Sequence, residues 1–157
     1  MTSSRGRIPG PLRLVLRLAL GLVFVYAAWV KLFGTHWSWP PRIEPWELFA
    51  LAISSYEILP LKFVELVARA LPWVELAIGL MLLAGRGLRI AATVTSLLLL
   101  VFFTLMVRAF AQGKEISCGC FGPGEIISWW TLLRDGSMLA GALLLTWMAF
   151  QRRRQAV

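Results

Sequence analysis

The sequence predicts an all-α integral membrane protein: a bundle of four transmembrane helices with both termini in the cytoplasm, and an additional interfacial helix in the first outer loop. Of the 157 residues, 59% are hydrophobic and only 15% are charged, which is too apolar for a soluble domain of this length. Four apolar runs are long enough to cross a hydrocarbon core of about 30 Å at about 1.5 Å per residue. The net charge of +8 gathers at the ends of these runs, which is typical of topology signals rather than of nucleic-acid binding.

The predicted spans cover residues 11–33, 61–84, 88–110 and 129–150, within one transmembrane domain over residues 1–157. The first run could pass for a signal peptide. No small-residue cleavage site follows it, however, and Lys31-Leu32-Phe33 continues it, so it predicts an uncleaved span. In residues 43–59, apolar side chains recur at helical spacing between glutamates. This segment is short for a span and predicts an amphipathic helix in the outer interface.

Arginine placement decides the predicted topology. A four-span arrangement puts one set of arginines on the cytoplasmic side, as the positive-inside rule requires. That set is Arg5, Arg7, Arg13, Arg86, Arg89, Arg152, Arg153 and Arg154. A fifth span would export the last five of these. The loops 34–60 and 111–128 then face outward from a bacterial cytoplasmic (inner) membrane, with lipid around the bundle.

The second outer loop contains Cys118-Gly119-Cys120, the clearest chemical motif in the chain. A disulfide between two cysteines one residue apart closes a very small ring, so it is expected to be strained and readily reduced. Lys114 and Arg108 are candidates to favour a thiolate. The residues alone leave three interpretations open: a redox pair, a static crosslink or packed thiols, and a metal site. A metal is the least supported, because the sole histidine is remote and two thiolates leave a zinc site incomplete.

Ionisable residues inside the predicted spans form a second group of candidates, because charge at membrane depth is costly. Glu65 and Arg69 stand four apart on one helix and are expected to neutralise each other. Glu75 has no cation one turn away on its own helix and must find a partner elsewhere or stay protonated. A proton relay or quinone-facing acid and a buried ion pair with another helix are both open interpretations.

Four further ionisable residues lie at the depth of the outer third of the bundle. They are Lys31, Arg108, Arg134 and Asp135. The predicted topology allows them to form a polar cluster beneath the Cys-Gly-Cys loop. The alternative for Lys31 and Arg108 is ordinary snorkelling, in which the charged head reaches out to the membrane surface.

Several stretches together resemble one family along nearly the whole chain. They are Tyr26-Ala27-Ala28-Trp29-Val30-Lys31-Leu32, the segment from Ala52-Ile53 through Tyr56 to Leu59-Pro60, Leu71-Pro72-Trp73-Val74-Glu75-Leu76, Ile116-Ser117-Cys118-Gly119-Cys120-Phe121-Gly122, and Trp130 to Arg134-Asp135. The chain resembles the DoxX-like membrane proteins, and most closely the MauE branch known from methylamine utilisation. The most specific part is the Cys-Gly-Cys-Phe-Gly loop followed by Arg-Asp in the last span.

The resemblance implies a four-helix membrane protein that assists maturation of an extracytoplasmic partner, in MauE's case the disulfide-rich small subunit of methylamine dehydrogenase. It implies that Cys118 and Cys120 are the redox pair, that Glu75, Arg134 and Asp135 are embedded polar residues, and that a thioredoxin-like protein is a partner. The leading hypothesis is therefore a thiol-disulfide oxidoreductase component, with a quinone as a candidate electron acceptor.

The rival hypothesis is a non-catalytic scaffold, or a quinone-linked accessory subunit, with a structural disulfide. A small-molecule transporter is weaker, because four spans without a repeat offer little for alternating access.

Overall fold

The computed structural model describes residues 10–34, 45–119 and 125–154 and folds them into helices. Those helices are α1 (Gly10–Phe33), α2 (Pro45–Ser54), α3 (Leu61–Ala84), α4 (Leu88–Ala111) and α5 (Trp129–Arg154). The long helices begin and end within a few residues of the predicted spans. Helix α2 falls inside the segment 43–59 but is shorter than predicted, because the chain leaves the helix after Ser54 in a turn.

Three helices within the described ranges, α1, α3 and α4, are long and apolar enough to cross a membrane. Helix α5 does not meet that description. Arg134 and Asp135 lie near its beginning and Arg152–Arg154 form its end, so only residues 136–150 make an uninterrupted apolar run. The prediction of membrane-spanning helices is therefore confirmed for three of the four predicted spans.

The long helices form a closed ring in which α1 and α4 each pack against both α3 and α5. Neighbours in this ring run antiparallel. Arg89 at the beginning of α4 donates from Nε to the carbonyl oxygen of Ala149, near the end of α5, over 3.2 Å. Between α3 and α4 the chain reverses at Gly85 and Gly87, which both adopt left-handed backbone angles that glycine accepts without a Cβ clash.

Two apolar clusters fill the ring. The first joins all four long helices and contains Leu20, Phe24, Ile78, Leu82, Leu88, Ala91, Ala92, Ala142, Leu145 and Ala149. The second lies where α4 ends and α5 begins and contains Met106, Ala109, Cys118, Ile127 and Leu132. We call the end of the bundle at the second cluster the cysteine end. Arg17, Arg86 and Arg89 belong to the opposite end, about 24 residues of helix or about 36 Å away.

The outer surface of the bundle is apolar. On α1, the exposed large side chains Leu18, Leu22, Tyr26, Trp29 and Phe33 recur at helical spacing on one face. A soluble monomer rarely exposes a continuous apolar surface of this kind, whereas a bundle in lipid requires it. Together with the three long apolar helices, this surface identifies a multi-pass membrane protein.

Candidate functional site

The loop between α4 and α5 folds back on itself at the cysteine end. The amide of Cys118 donates to the carbonyl oxygen of Glu125 over 2.8 Å, and the amide of Ile127 donates to the carbonyl oxygen of Ile116 over 3.0 Å. An isolated antiparallel bridge joins Ser117 to the returning arm at residue 126. These backbone bonds fix Glu125 beside Cys118. Cys120 lies outside the described residues, and so does its predicted bond to Cys118.

Cys118 sits in a closed apolar surrounding with one acidic neighbour. Cys118 is only 1% exposed. The thiol Sγ donates to Oε2 of Glu125 over 3.5 Å, and the hydroxyl of Tyr56 donates to the carbonyl oxygen of Cys118 over 3.4 Å. Gly119 follows with φ +71°, and a Cβ there would lie 3.1 Å from the Cβ of Ala52. Only glycine meets both demands without strain, so the turn after Cys118 depends on it.

Arg134 links this loop to α5. Its Nη1 donates to Oε1 of Glu125 over 2.9 Å and its Nε donates to Oδ1 of Asp135 over 3.1 Å. The hydrogen bond from Arg134 lowers the pKa of the Glu125 carboxyl below its usual value, against the raising effect of partial burial. The thiol, the two carboxylates and the guanidinium therefore form one connected network from Cys118 to Asp135.

A second charged group crosses the bundle between α1 and α3. Nζ of Lys31 donates to Oε1 of Glu75 over 2.5 Å, and the two side chains are only 4% and 7% exposed. The ammonium also lies 4.6 Å from the ring centre of Phe49 and 5.8 Å from that of Phe102, within range of cation–π attraction. Oε2 of Glu75 has no hydrogen-bond partner among the residues that the structure describes.

A cavity of about 40 Å³ separates the two charged groups. Lys31, Glu75 and Asp135 supply its polar lining, and α1, α4 and α5 supply the apolar side chains. This volume has room for a few water molecules that hydrogen-bond to the carboxylates. It is well below the roughly 150 Å³ of a cavity that binds benzene.

Comparison with known proteins finds one family. Residues 10–148 match the model of one family, described as methylamine utilisation protein MauE. The chain belongs to the MauE family. It is similar to the methylamine utilization protein MauE of Paracoccus denitrificans, with 33% identity over 131 residues that cover 82% of this chain and 64% of that relative.

A second relative of this MauE-family chain carries the same description. The methylamine utilization protein MauE of Methylophilus methylotrophus is 31% identical over 81 residues, which cover 51% of this chain and 43% of that protein. The chain thus spans less than two thirds of the length of either relative. No solved structure matches the chain.

The structure brings most of the residues predicted for the site together. Cys118, Arg134 and Asp135 share one network, and Lys31 and Glu75 form an ion pair across the cavity from it. The alternative interpretation of Lys31, snorkelling, does not describe its position, because its ammonium is buried against Glu75. The Glu65–Arg69 pair is confirmed as an exposed contact of 2.8 Å.

The two cations expected beside the thiol lie elsewhere. Arg108 is exposed on α4 and is not part of the network around Cys118. Lys114 pairs with Glu57 over 2.6 Å, and this contact lowers the pKa of the Glu57 carboxyl. In this MauE-family chain, Arg134 is instead linked to the cysteine through Glu125.

Glu125 is the site residue that the sequence reasoning missed. A signal for it exists, since Gly122-Pro123-Gly124 is a strong turn sequence that follows the cysteines. A turn sequence at this place predicts that the segments on its two sides pair, which would put Glu125 close to Cys118. Within residues 10–34, 45–119 and 125–154, no three Cys, His, Asp or Glu side chains are grouped as a metal site requires.

Proposed function

We propose that this chain is a membrane thiol–disulfide component that assists oxidation or maturation of an extracytoplasmic partner. The observation that carries the proposal is the position of Cys118, whose thiol lies within a carboxylate–guanidinium network at one end of a multi-pass bundle. A carboxylate held by an arginine beside a thiol supplies a local proton acceptor and a balancing charge, which thiol exchange needs. For a MauE-family protein, the implied partner is the disulfide-rich small subunit of methylamine dehydrogenase.

The proposed reaction is a two-electron exchange between dithiols and disulfides. A client thiolate attacks the Cys118–Cys120 disulfide, and the client's second thiol resolves the mixed disulfide. The client loses two electrons and two protons, and the chain becomes a dithiol. The disulfide of a thioredoxin-like partner then accepts two electrons and two protons and restores the Cys118–Cys120 bond. No step passes through a quinone.

The burial of Cys118 suggests different roles for the two cysteines. A sulfur under attack must be reached in line with the bond that breaks, and Cys118 is 1% exposed. The incoming partner therefore bonds to Cys120, and Cys118 acts as the leaving and resolving sulfur. This assignment predicts which cysteine captures a partner when the other is removed.

The proposed topology has four spans, both termini in the cytoplasm and the cysteine end on the outer face of a bacterial inner membrane. Arg17, Arg86 and Arg89 support it, since they belong to the end of the bundle away from Cys118, and arginines favour the cytoplasmic side. Helix α2 then lies in the outer interface, and the whole chain is one transmembrane domain. Labelling of intact cells with a thiol reagent that cannot cross the membrane, after mild reduction, tests the orientation. Labelling only after cell lysis contradicts it.

The exchange is tested with the purified, pre-oxidised full chain and reduced thioredoxin as the probe. We expect the wild-type chain to remove two thiols per chain from the probe. The Cys118→Ser variant cannot form the Cys118–Cys120 disulfide and should remove no thiols from the probe. Ser117→Ala, a change at the adjacent position, is the matched control and should behave as wild type. Oxidation of the probe by Cys118→Ser at the wild-type rate would reject the proposal.

The second candidate function is a non-catalytic membrane scaffold. The burial of Cys118 among Met106, Ala109 and Leu132 favours it, because inert cysteines are commonly packed in this way. In a scaffold, the cysteine packs the loop and the buried charges join the helices. Such a protein leaves the thiols of reduced thioredoxin unchanged in the same assay, whichever cysteine is present.

A further inference from the structure

The loop between α4 and α5 presents one carboxylate directly to the buried thiol. Oε2 of Glu125 lies 3.5 Å from Sγ of Cys118, and the other oxygen, Oε1, is held by Arg134 at 2.9 Å. The backbone adds a further constraint, since the amide of Cys118 donates to the carbonyl oxygen of Glu125. Glu125 is thus held at its backbone and at Oε1, while Oε2 is directed at the thiol.

The charged groups around the site include more carboxyls than cations. The thiol network and the cavity pair together contain three carboxyls, of Glu75, Glu125 and Asp135, but only two cations, Lys31 and Arg134. A proton that moves from the sulfur to a carboxylate leaves a thiolate and a neutral acid. The total charge of this partly buried group does not change, so the transfer avoids creating an additional buried charge.

We propose that Glu125 is the proton acceptor for Cys118 during thiol–disulfide exchange and that Arg134 is the residue that positions it. This inference deepens the proposed function and rests on it for the identity of the exchange partner. It adds a catalytic role for a residue outside the Cys-Gly-Cys motif. Glu125 touches the reacting sulfur, whereas Arg134 acts through Glu125.

The step is balanced as follows. Cys120 is bonded to the partner in a mixed disulfide, and the sulfur of Cys118 attacks the sulfur of Cys120. The Cys118–Cys120 bond forms, the bond from Cys120 to the partner breaks, and the S–H proton of Cys118 passes to Oε2 of Glu125. The partner leaves as a thiolate with the electron pair, and Glu125 returns the proton to it directly or through water.

Other charged and titratable groups face this site from the surrounding elements. Arg134 and Asp135 approach from α5, and the hydroxyl of Tyr56 approaches from the turn after α2. Lys114, in the same loop, is engaged with Glu57. The carboxylate of Glu125 contacts the thiol and is placed to accept its proton.

The test uses the full chain with Cys120 replaced by Ser, so that Cys118 is the only thiol, and follows its alkylation by iodoacetamide from pH 5 to pH 9. An unassisted thiol with a pKa of about 8.5 loses about tenfold in rate for each pH unit below that value. With the carboxylate present, we expect a shallow dependence between pH 6 and pH 8. With Glu125→Gln, we expect the steep dependence and a rate at pH 6 lower by about tenfold or more.

Three further variants make the result decisive. Glu125→Asp keeps a carboxylate, so the alkylation rate should still depend only weakly on pH, although it should be lower. Arg134→Lys keeps the positive charge but should release Glu125, so the rate should depend more steeply on pH. Glu115→Gln removes an exposed carboxylate from the same loop and should match the parent. If Glu125→Gln reacts as fast as the parent at pH 6, or faster, the proposal is overturned. If that variant fails to fold, the Glu125→Asp and Arg134→Lys profiles decide in the same way.

Alkylation requires no exchange partner, so its outcome is separate from that of the proposed function. A shallow profile that depends on Glu125, together with no oxidation of reduced thioredoxin, would support the proton acceptor and reject the exchange. The opposite result is also distinguishable. If the Glu125→Gln variant oxidises thioredoxin at the wild-type rate, and the alkylation rate depends only weakly on pH with or without Glu125, Glu125 is rejected as the proton acceptor and the exchange is retained.

Discussion

Replacing Lys31 by Met is expected to destabilise the bundle more than any change to an exposed charge. The ammonium lies 2.5 Å from a carboxylate oxygen of Glu75, and both side chains are almost fully buried. Breaking a buried pair by removing one partner costs about 3–5 kcal/mol, because the remaining charge is left unpaired. Lys31 also loses its contact with the ring of Phe49, which adds about 1 kcal/mol. We therefore expect the free energy of unfolding to fall by about 4–6 kcal/mol.

The assay is reversible unfolding of the full chain in detergent micelles, for Lys31→Met, Glu75→Leu and the double variant. Since an apolar pair of similar volume replaces a buried ion pair at little cost, the double variant should lie within about 2 kcal/mol of wild type. Arg69→Met is the matched control. Its partner Glu65 is 2.8 Å away but both side chains are more than half exposed, so we expect a loss below about 1 kcal/mol. Single and double variants whose losses simply add would refute the reasoning.

Two further predictions concern the loop at the cysteine end. Gly119→Ala should cost about 1–2 kcal/mol more than Gly113→Ala in the same unfolding assay. Both glycines have positive φ, but only at Gly119 does a Cβ meet Ala52, and equal losses would contradict this account. Lys114 lowers the pKa of Glu57, so their contact stabilises the fold at neutral pH. This stabilisation is lost as the pH falls through the lowered pKa that Glu57 has in the folded state. In Lys114→Met this acid-dependent part of the unfolding profile should disappear, and an unchanged profile would count against the pair.

The boundaries of the long helices were predictable because they depend on local chemistry. Helix α3 begins after Pro60, the Gly85-Arg86-Gly87 turn separates α3 from α4, and α4 ends before the Gln112-Gly113 pair. The Glu65–Arg69 pair was predictable for the same reason, since its two residues stand one turn apart on one helix. Helix α5 matches the bounds of the predicted fourth run at its beginning, but with Arg134 and Asp135 near that end it is not among the helices that are apolar enough to cross a membrane.

The pairing of the buried charges was not predictable from the sequence. The sequence indicates that Glu75 needs a partner, but Lys31 becomes that partner only because α1 and α3 pack side by side. The place of Glu125 depends on a reversal of the loop that lies between the cysteines and α5. Charge and apolar periodicity show which buried residues need a polar partner. They carry no information on which distant residue becomes that partner.

The reduction potential of the Cys118–Cys120 pair tests the central proposal most directly. It is measured on the full chain equilibrated with defined ratios of reduced and oxidised glutathione or thioredoxin. The proposed exchange requires a potential between about −120 and −270 mV, the range of proteins that oxidise or exchange thiols. A potential below about −300 mV, typical of structural disulfides, would contradict the account.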